Sequence, residues 1–354
     1  MDTIKNYVRY YKDVTFEESP FNDVDNAIFC LLVYLDFKNI VDKEISLKEA
    51  GKKLFSNLDY KLLKNEPLVI RKAIDNFELL FNGRRYRDII LSNYEKIVDE
   101  EKQFCAMTYK LPDGTIYIAY EGTDDSLIGW REDFQMIYKF PIPSQKMAIK
   151  YINKVVKFST KKVMVGGHSK GGNLAMTASM YAKPYIKRKI IRVYNNDGPG
   201  FRKEQFESKE YKKMLPKLKM IIPQDSIIGL ILRHPDNYIP VKSNGISLIE
   251  HDLNNWNCYG PIFIKCSLSD SSKNMETRIN FWLNKHDDEQ RKILVDTLFD
   301  TFQKSEITLF SQLRQFNFSR VTKLIKESRK LDKETKDLII NTFKMLFTND
   351  EKMN

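Results

Sequence analysis

Val163-Met164-Val165-Gly166-Gly167-His168-Ser169-Lys170-Gly171-Gly172-Asn173-Leu174-Ala175-Met176-Thr177-Ala178 is the stretch on which the reading of this chain turns. Val163 to Gly166 is a short apolar run of the kind buried in a sheet, and Gly172 to Ala178 is a small-residue helix start. Between them stands a G-x-S-x-G pattern, Gly167 to Gly171, in the strand-turn-helix setting of a nucleophile elbow. A strand that turns straight into a helix strains the backbone at its tip, and side chains two positions either way would collide with each other or with the next strand. Gly167 and Gly171 carry no such side chains. The turn is expected to hold the Ser169 hydroxyl at the carboxyl end of a sheet, where free N–H groups and the positive helix end favour developing negative charge.

A hydroxyl is a poor nucleophile at neutral pH and needs a general base, itself oriented by an acid. Four histidines are available. His168 is expected to point away from the serine beside it, and His286 lies far downstream in a helical region, which leaves His234 and His251. With this elbow the chain order is Ser, then Asp or Glu, then His. Asp225 follows the strand-like run Met220 to Pro223; two further strand-like runs come next, Tyr238 to Val241 and Ile246 to Ile249, and His251 directly follows the second. His234 precedes both and is the weaker base. Asp225 also suits an N-cap for a helix begun at Ser226, and Asp197, Asp236 and Asp252 compete with it as the acid. Asp197 follows the strand-like run Ile190 to Tyr194, one strand earlier than the acid's usual position.

The second half of an oxyanion hole should come from a loop after an earlier strand. Ile116 to Tyr120 reads as a strand paired through Pro112-Asp113-Gly114 with Phe104 to Tyr109, and it ends in Glu121-Gly122-Thr123-Asp124. Gly122 lets the backbone approach a reacting carbonyl, and the N–H groups of Thr123 and Lys170 are candidates to hold the oxyanion. A plain corner is the simpler alternative.

Taken together, Gly122-Thr123-Asp124, Gly167-His168-Ser169-Lys170-Gly171-Gly172, Asn196-Asp197-Gly198-Pro199-Gly200-Phe201, Pro223-Gln224-Asp225 and His251-Asp252 resemble the class 3, fungal-type lipases. They resemble more closely a bacterial branch of lipase-like α/β-hydrolases, over roughly residues 20 to 260. The resemblance implies a Ser169, Asp225 and His251 triad with Thr123 and Lys170 in support. One position departs: an arginine usually precedes the Gly-Thr pair, and this chain has Glu121.

The 354 residues suffice for a large core. The longest apolar stretch, Ala27 to Leu35, is bracketed by Asp25 and Asp36 and is too short to span a bilayer. Met1 to Lys5 lacks the apolar core of a signal peptide. Cysteines 30, 105, 258 and 266 show neither metal nor disulfide spacing, so a cytoplasmic protein is expected, with a peripheral membrane position open to it. The net charge of +11 is spread along the chain among acids and lacks any nucleic-acid-binding pattern, which favours a solvated surface or attraction to an anionic membrane face.

The expected architecture is an α/β-hydrolase with a mostly parallel central sheet: a helical segment over 1–100, the core over 101–265 and a helical extension over 270–354. Helices are expected over Asp25 to Leu35, Ser46 to Phe55, Pro67 to Leu80, Gln145 to Phe158, Glu276 to Leu283, Asp288 to Phe302, Ile307 to Phe316 and Ser319 to Phe347. Ser126 to Tyr138, with Trp130 and Phe134, is a candidate lid, and Ile227 to Leu232 a candidate acyl-binding wall. The expected activity is cleavage of a lipid or other acyl ester through an acyl-enzyme, without metal or organic cofactor. Thioesterase, acyltransferase and peptidase chemistry use the same groups, and a non-catalytic membrane- or protein-binding module on the same scaffold is the rival from another class.

Overall fold

The computed structural model describes residues 1–59, 61, 63, 68–245, 247–309, 312 and 318–347. Eight strands form one sheet in sequence order: β1 (Ile45–Ser46), β2 (Ile90–Val98), β3 (Gln103–Lys110), β4 (Ile116–Tyr120), β5 (Val163–His168), β6 (Ile190–Asn196), β7 (Leu218–Pro223) and β8 (Ile239–Val241). β1 to β4 are antiparallel neighbours, and β4 to β8 run parallel. A small hairpin, β9 (Cys258–Tyr259) with β10 (Ile262–Phe263), stands apart.

Strand order in space equals strand order in sequence, so every parallel connection steps the same way, and right-handed crossovers then put the connecting helices on one face. The helices α5 (Leu127–Gln135) and α6 (Pro143–Val155) precede β5, and α7 (Lys170–Tyr181) follows it. The short helices α8 (Pro184–Lys187), α9 (Lys203–Phe206) and α10 (Lys209–Met214) come next. α6 and α7 pack on each other and on Ile118, Tyr120, Val163 and Val165. The opposite face would be bare. It is covered by the amino-terminal helices α1 (Ile4–Tyr11), α2 (Asp23–Leu32), α3 (Leu47–Ser56) and α4 (Leu68–Leu80), whose core takes the alternate residues Tyr117, Ala119, Met164 and Tyr194. Both faces of the parallel strands are therefore buried, which is why β5 reads as an unbroken apolar run.

The first hundred residues are not wholly helical, since β1 and β2 belong to the main sheet. β2 hides its period in the sequence because a bulge between Ser92 and Glu95, with Asn93 at φ 53°, breaks the alternation. Buried under the amino-terminal helices is an ion pair, Arg85 Nη2 to Asp25 Oδ2 at 2.5 Å, and neither side chain is exposed. Asp25 also accepts from Arg85 Nε, Tyr86 and Tyr7 at 2.9, 2.7 and 3.1 Å.

Beyond the hairpin come α11 (Asp270–Lys285), α12 (Asp288–Lys304), α13 (Phe318–Arg329) and α14 (Lys333–Phe347). Ile307 to Leu309 is not helical; most of the remaining helix expected up to Phe316, and the tail from Thr348, lie outside the described residues. No helix among the described residues is long and apolar enough to cross a membrane.

Candidate active site

β5 ends at His168 and α7 starts at Lys170, leaving Ser169 alone at the turn with φ 56° and ψ −133°. A non-glycine residue there stores strain that only a fixed surrounding can hold. The surrounding is tight: a Cβ at Gly167 would lie 2.1 Å from the Gly171 carbonyl, and one at Gly171 would lie 2.2 Å from the Tyr120 carbonyl oxygen. Gly122, at the end of β4, approaches as closely, since a Cβ there would meet Tyr34 Oη at 2.2 Å, the His168 carbonyl oxygen at 2.5 Å and Ser169 Cβ at 3.0 Å.

His251 ends the 3-10 turn Ser247–His251 rather than a strand, and its Nδ1 lies 2.6 Å from Asp197 Oδ2. A carboxylate accepts, so Nδ1 donates and Nε2 keeps its lone pair on a ring that lines the same cavity as Ser169. Asp197 follows β6, the strand next to β5, and stands at φ 51°, a conformation Asp tolerates better than most residues. Its N–H is bound to the Ile221 carbonyl at 2.8 Å. Its other oxygen accepts from Ser226 Oγ at 2.5 Å and the Gly229 N–H at 3.1 Å. The acid that meets His251 is therefore Asp197, and the expectation of Asp225 is corrected. Asp225 lies beyond β7, one strand further from the elbow, with its N–H bound to Glu250 Oε2 at 2.9 Å. It does not line the cavity. Asp252 instead caps the turn Leu253–Asn255 and pairs with Lys72 at 2.9 Å, while His234 faces Glu276 at 3.1 Å.

His168 does not turn away from the site. Its ring lies 4.4 Å from that of His251 and lines the cavity. Nε2 contacts the His251 carbonyl at 2.7 Å and Nδ1 the Tyr34 hydroxyl at 3.0 Å. A carbonyl only accepts, so Nε2 carries the hydrogen and Nδ1 takes the phenol's. Burial lowers the His168 pKa to about 3 and keeps the ring neutral.

Thr123 and Lys170 both line the cavity. Lys170 opens α7, so its amide has no intrahelical partner. The Thr123 hydroxyl donates to Asp133 on α5. The Lys170 side chain runs inward to the Gln103 carbonyl at 3.0 Å, Gln103 Oε1 at 2.5 Å and Glu132 Oε2 at 3.3 Å. Gln103 Nε2 in turn donates to Glu121 at 2.9 Å. Glu121, the position that departs from the arginine implied by the sequence resemblance, is thus held by an amide; burial raises its pKa to about 8 and that of Asp133 to about 6. Tyr34, Asp133, Glu132 and Gln103 carry no signal in the sequence that marks them as site residues, although Glu132 and Asp133 fall inside the candidate lid, Ser126 to Tyr138.

The cavity encloses about 390 Å³, and its walls are largely apolar, with Trp130, Phe134, Ile228, Ile231, Ile279 and Trp282 among them. Among the described residues no group of three His, Cys, Asp or Glu side chains is arranged to hold a metal ion. The sheet, the elbow and the His251–Asp197 pair define a protein with a lipase-like α/β-hydrolase fold. Matching at residues 80–300, more than half of its length, the chain belongs to the Mbeg1-like family. Among solved structures it is similar to the native Rhizomucor miehei lipase propeptide complex, at 13% identity and a TM-score of 0.36 over 49% of this chain and 71% of that one. It is similar also to a triacylglycerol lipase described as having a serine protease triad as its catalytic centre, at 13% identity and a TM-score of 0.36 over 62% and 77%. M37 lipase follows at 15% identity and a TM-score of 0.32 over 60% and 69%. No curated protein matches the sequence.

Proposed function

We propose that the protein is a serine hydrolase that cleaves a carboxylic ester of an acyl chain through an acyl-enzyme on Ser169. The observation that carries this reading is the His251–Asp197 pair at 2.6 Å, on a ring that shares an apolar cavity with a serine held at φ 56°. His251 Nε2 takes the Ser169 proton as Oγ attacks the carbonyl carbon. The resulting oxyanion is held by the amides of Thr123 and Lys170, the first steadied by the bond from its side chain to Asp133. Collapse expels the alkoxide, which leaves as an alcohol with the proton from His251. A water deprotonated by His251 then attacks the acyl-enzyme, releasing the carboxylic acid and restoring Ser169. Asp197 keeps the imidazole in the tautomer both halves need.

A fluorophosphonate probe tests the reading directly. The native chain is expected to label and Ser169→Ala to lose the label, whereas equal labelling of both, or of neither, favours a binding protein on a hydrolase scaffold. The rate of labelling separates the two acids. Asp197→Asn should slow it by a factor on the order of 10⁴, as when a triad histidine loses its orienting carboxylate, and Asp225→Asn should leave it within a few-fold of native. If Asp225→Asn proved the slower of the two, the assignment of Asp197 would be wrong.

A further inference from the structure

We infer that the carboxy-terminal helices are part of the substrate site, and that Trp282 is the wall that limits the length of the acyl chain it takes. The inference deepens the ester-hydrolase reading by naming a single acyl chain of restricted length as the cavity's occupant.

Three observations carry it. First, the cavity that holds Ser169 and His251 is closed in part by residues remote from the sheet: Ile279, Trp282 and Leu283 of α11, Leu294 of α12 and Thr342 of α14. Its volume of about 390 Å³ lies near the small end of ligand pockets, which run roughly from 300 to 1,000 Å³. That is room for one chain.

Second, Trp282 is not a loose surface ring. It is 5% exposed, and it packs in one apolar cluster with Met136, Ile142, Leu232 and Leu283. Its indole N–H donates to Thr342 Oγ1 at 2.9 Å, and its ring stacks on His286 at 4.8 Å. The bond from α14 fixes the plane of the largest side chain facing the cavity from α11. A buried indole with its one donor satisfied keeps its position, so it acts as a fixed stop where a flexible aliphatic side chain would yield.

Third, the cover is fastened to the segment after the oxyanion loop. Leu127 N donates to the Thr308 carbonyl at 2.9 Å, Arg131 reaches Asp296 at 3.0 Å, and Arg291 Nη1 donates to the Ile137 carbonyl at 3.1 Å. The stop and the reacting serine are therefore held in one frame, and the distance between them sets how many methylenes fit.

The test uses the full chain in two arms. In the first, p-nitrophenyl esters of four to sixteen carbons give a kcat/KM profile for the native protein, Trp282→Ala and Trp282→Leu. In the second, saturated fatty acids of the same lengths are titrated by calorimetry into the same three sequences carrying Ser169→Ala, so that binding is read without turnover. Native profiles should fall off beyond an optimum. Trp282→Ala should raise the long-to-short ratio about tenfold, the worth of about two further buried methylenes, with Trp282→Leu in between; Leu keeps an apolar side chain at the position should the alanine variant fail to fold. Superimposable profiles for native and folded variants would overturn the inference, as would the absence of any chain-length dependence in the native protein. A shift in binding without ester turnover upholds the wall and sinks the hydrolase reading; turnover with an unshifted profile does the reverse.

Discussion

The chain carries helices on both sides of its core in sequence, and the two sets are built differently. The amino-terminal helices share one contiguous apolar core with the sheet, and at its heart lies the Asp25–Arg85 pair with neither partner exposed. The carboxy-terminal helices meet the rest of the molecule through two small clusters, one around Trp282 and one around Val295 and Phe299, through a few hydrogen bonds such as Arg291 to the Ile137 carbonyl and Ser272 to the Ser226 carbonyl, and through ion pairs that water reaches. Arg131 is 28% exposed in its pair with Asp296, and Asp288 is 48% exposed in its pair with Arg202. The first set completes the fold, because a sheet in sequence order leaves one face without crossover helices. The second set closes a cavity. A fold-completing element tolerates no loosening, whereas a cover needs only enough hold to stay in place.

The largest expected effect follows from the first half of this contrast. Arg85→Ala would leave the Asp25 carboxylate buried with only hydroxyl and amide partners, and removing one member of a buried pair costs about 3–5 kcal/mol. Urea denaturation should find a loss of that size. A loss below about 1 kcal/mol would mean that water reaches Asp25 and that the two helical sets differ less than their burial indicates.

What could be read from the chain alone divides along a related line. The elbow was legible because its constraint is local: the 2.1 Å approach of the Gly171 backbone to position 167 can be met only by glycine, and the pattern displays it. The buried strands β4 to β7 were legible for the same kind of reason, being short apolar runs between turn signals. The carboxylate partner of His251 was misplaced because choosing between Asp197 and Asp225 requires knowing that the loop after β6, next to the elbow strand, turns its carboxylate to His251 through a left-handed residue. That is a property of loop conformation across two strands. Tyr34 and Asp133 reach the site from α-helical neighbourhoods 135 and 36 residues from Ser169 (169 − 34 and 169 − 133), and neither has a local signature.

Tyr34 is also where the amino-terminal half meets the candidate site, and its contact with His168 gives a pH dependence of intermediate size. Its hydroxyl and the His251 carbonyl hold His168 as a neutral ring. In the unfolded chain the imidazole takes a proton near pH 6.5, but in the fold burial delays this to about 3. Between those values the unfolded state binds more protons, so this group's contribution to stability falls as the pH drops, by about 1.4 kcal/mol per pH unit at the steepest. Above about pH 7 it is constant. Glu121 and Asp133, whose pKa values are raised, act in the opposite sense, losing stability as the pH rises, Glu121 toward about 8 and Asp133 toward about 6. Measuring the stability difference between the native chain and His168→Asn at each pH cancels those terms. The difference should be flat above pH 7 and shrink steadily from pH 6 to pH 4; a difference independent of pH would show that His168 is protonated, or wetted, in the fold.

The smallest effect tests the cover itself. Arg131 lies between Asp296 at 3.0 Å and Asp300 at 3.3 Å, all three partly exposed, and pairs of this kind contribute about 0.2–1 kcal/mol because solvent screens them and long side chains lose freedom. Arg131→Ala should therefore lower stability by less than about 1 kcal/mol, a fraction of the Arg85→Ala loss. In about 1 M salt the Debye length shrinks to roughly 3 Å, and native and variant should converge. A loss of about 2 kcal/mol or more that salt does not reduce would place the α5–α12 contact with the buried core and remove the distinction between an element that completes the fold and one that covers the site. The expected outcome leaves the cover held chiefly by its apolar contacts around Trp282 and Phe299, where an acyl chain bound as proposed would add buried surface of the same kind. Occupancy of the cavity would then stabilise the carboxy-terminal helices more than any of their surface charges do.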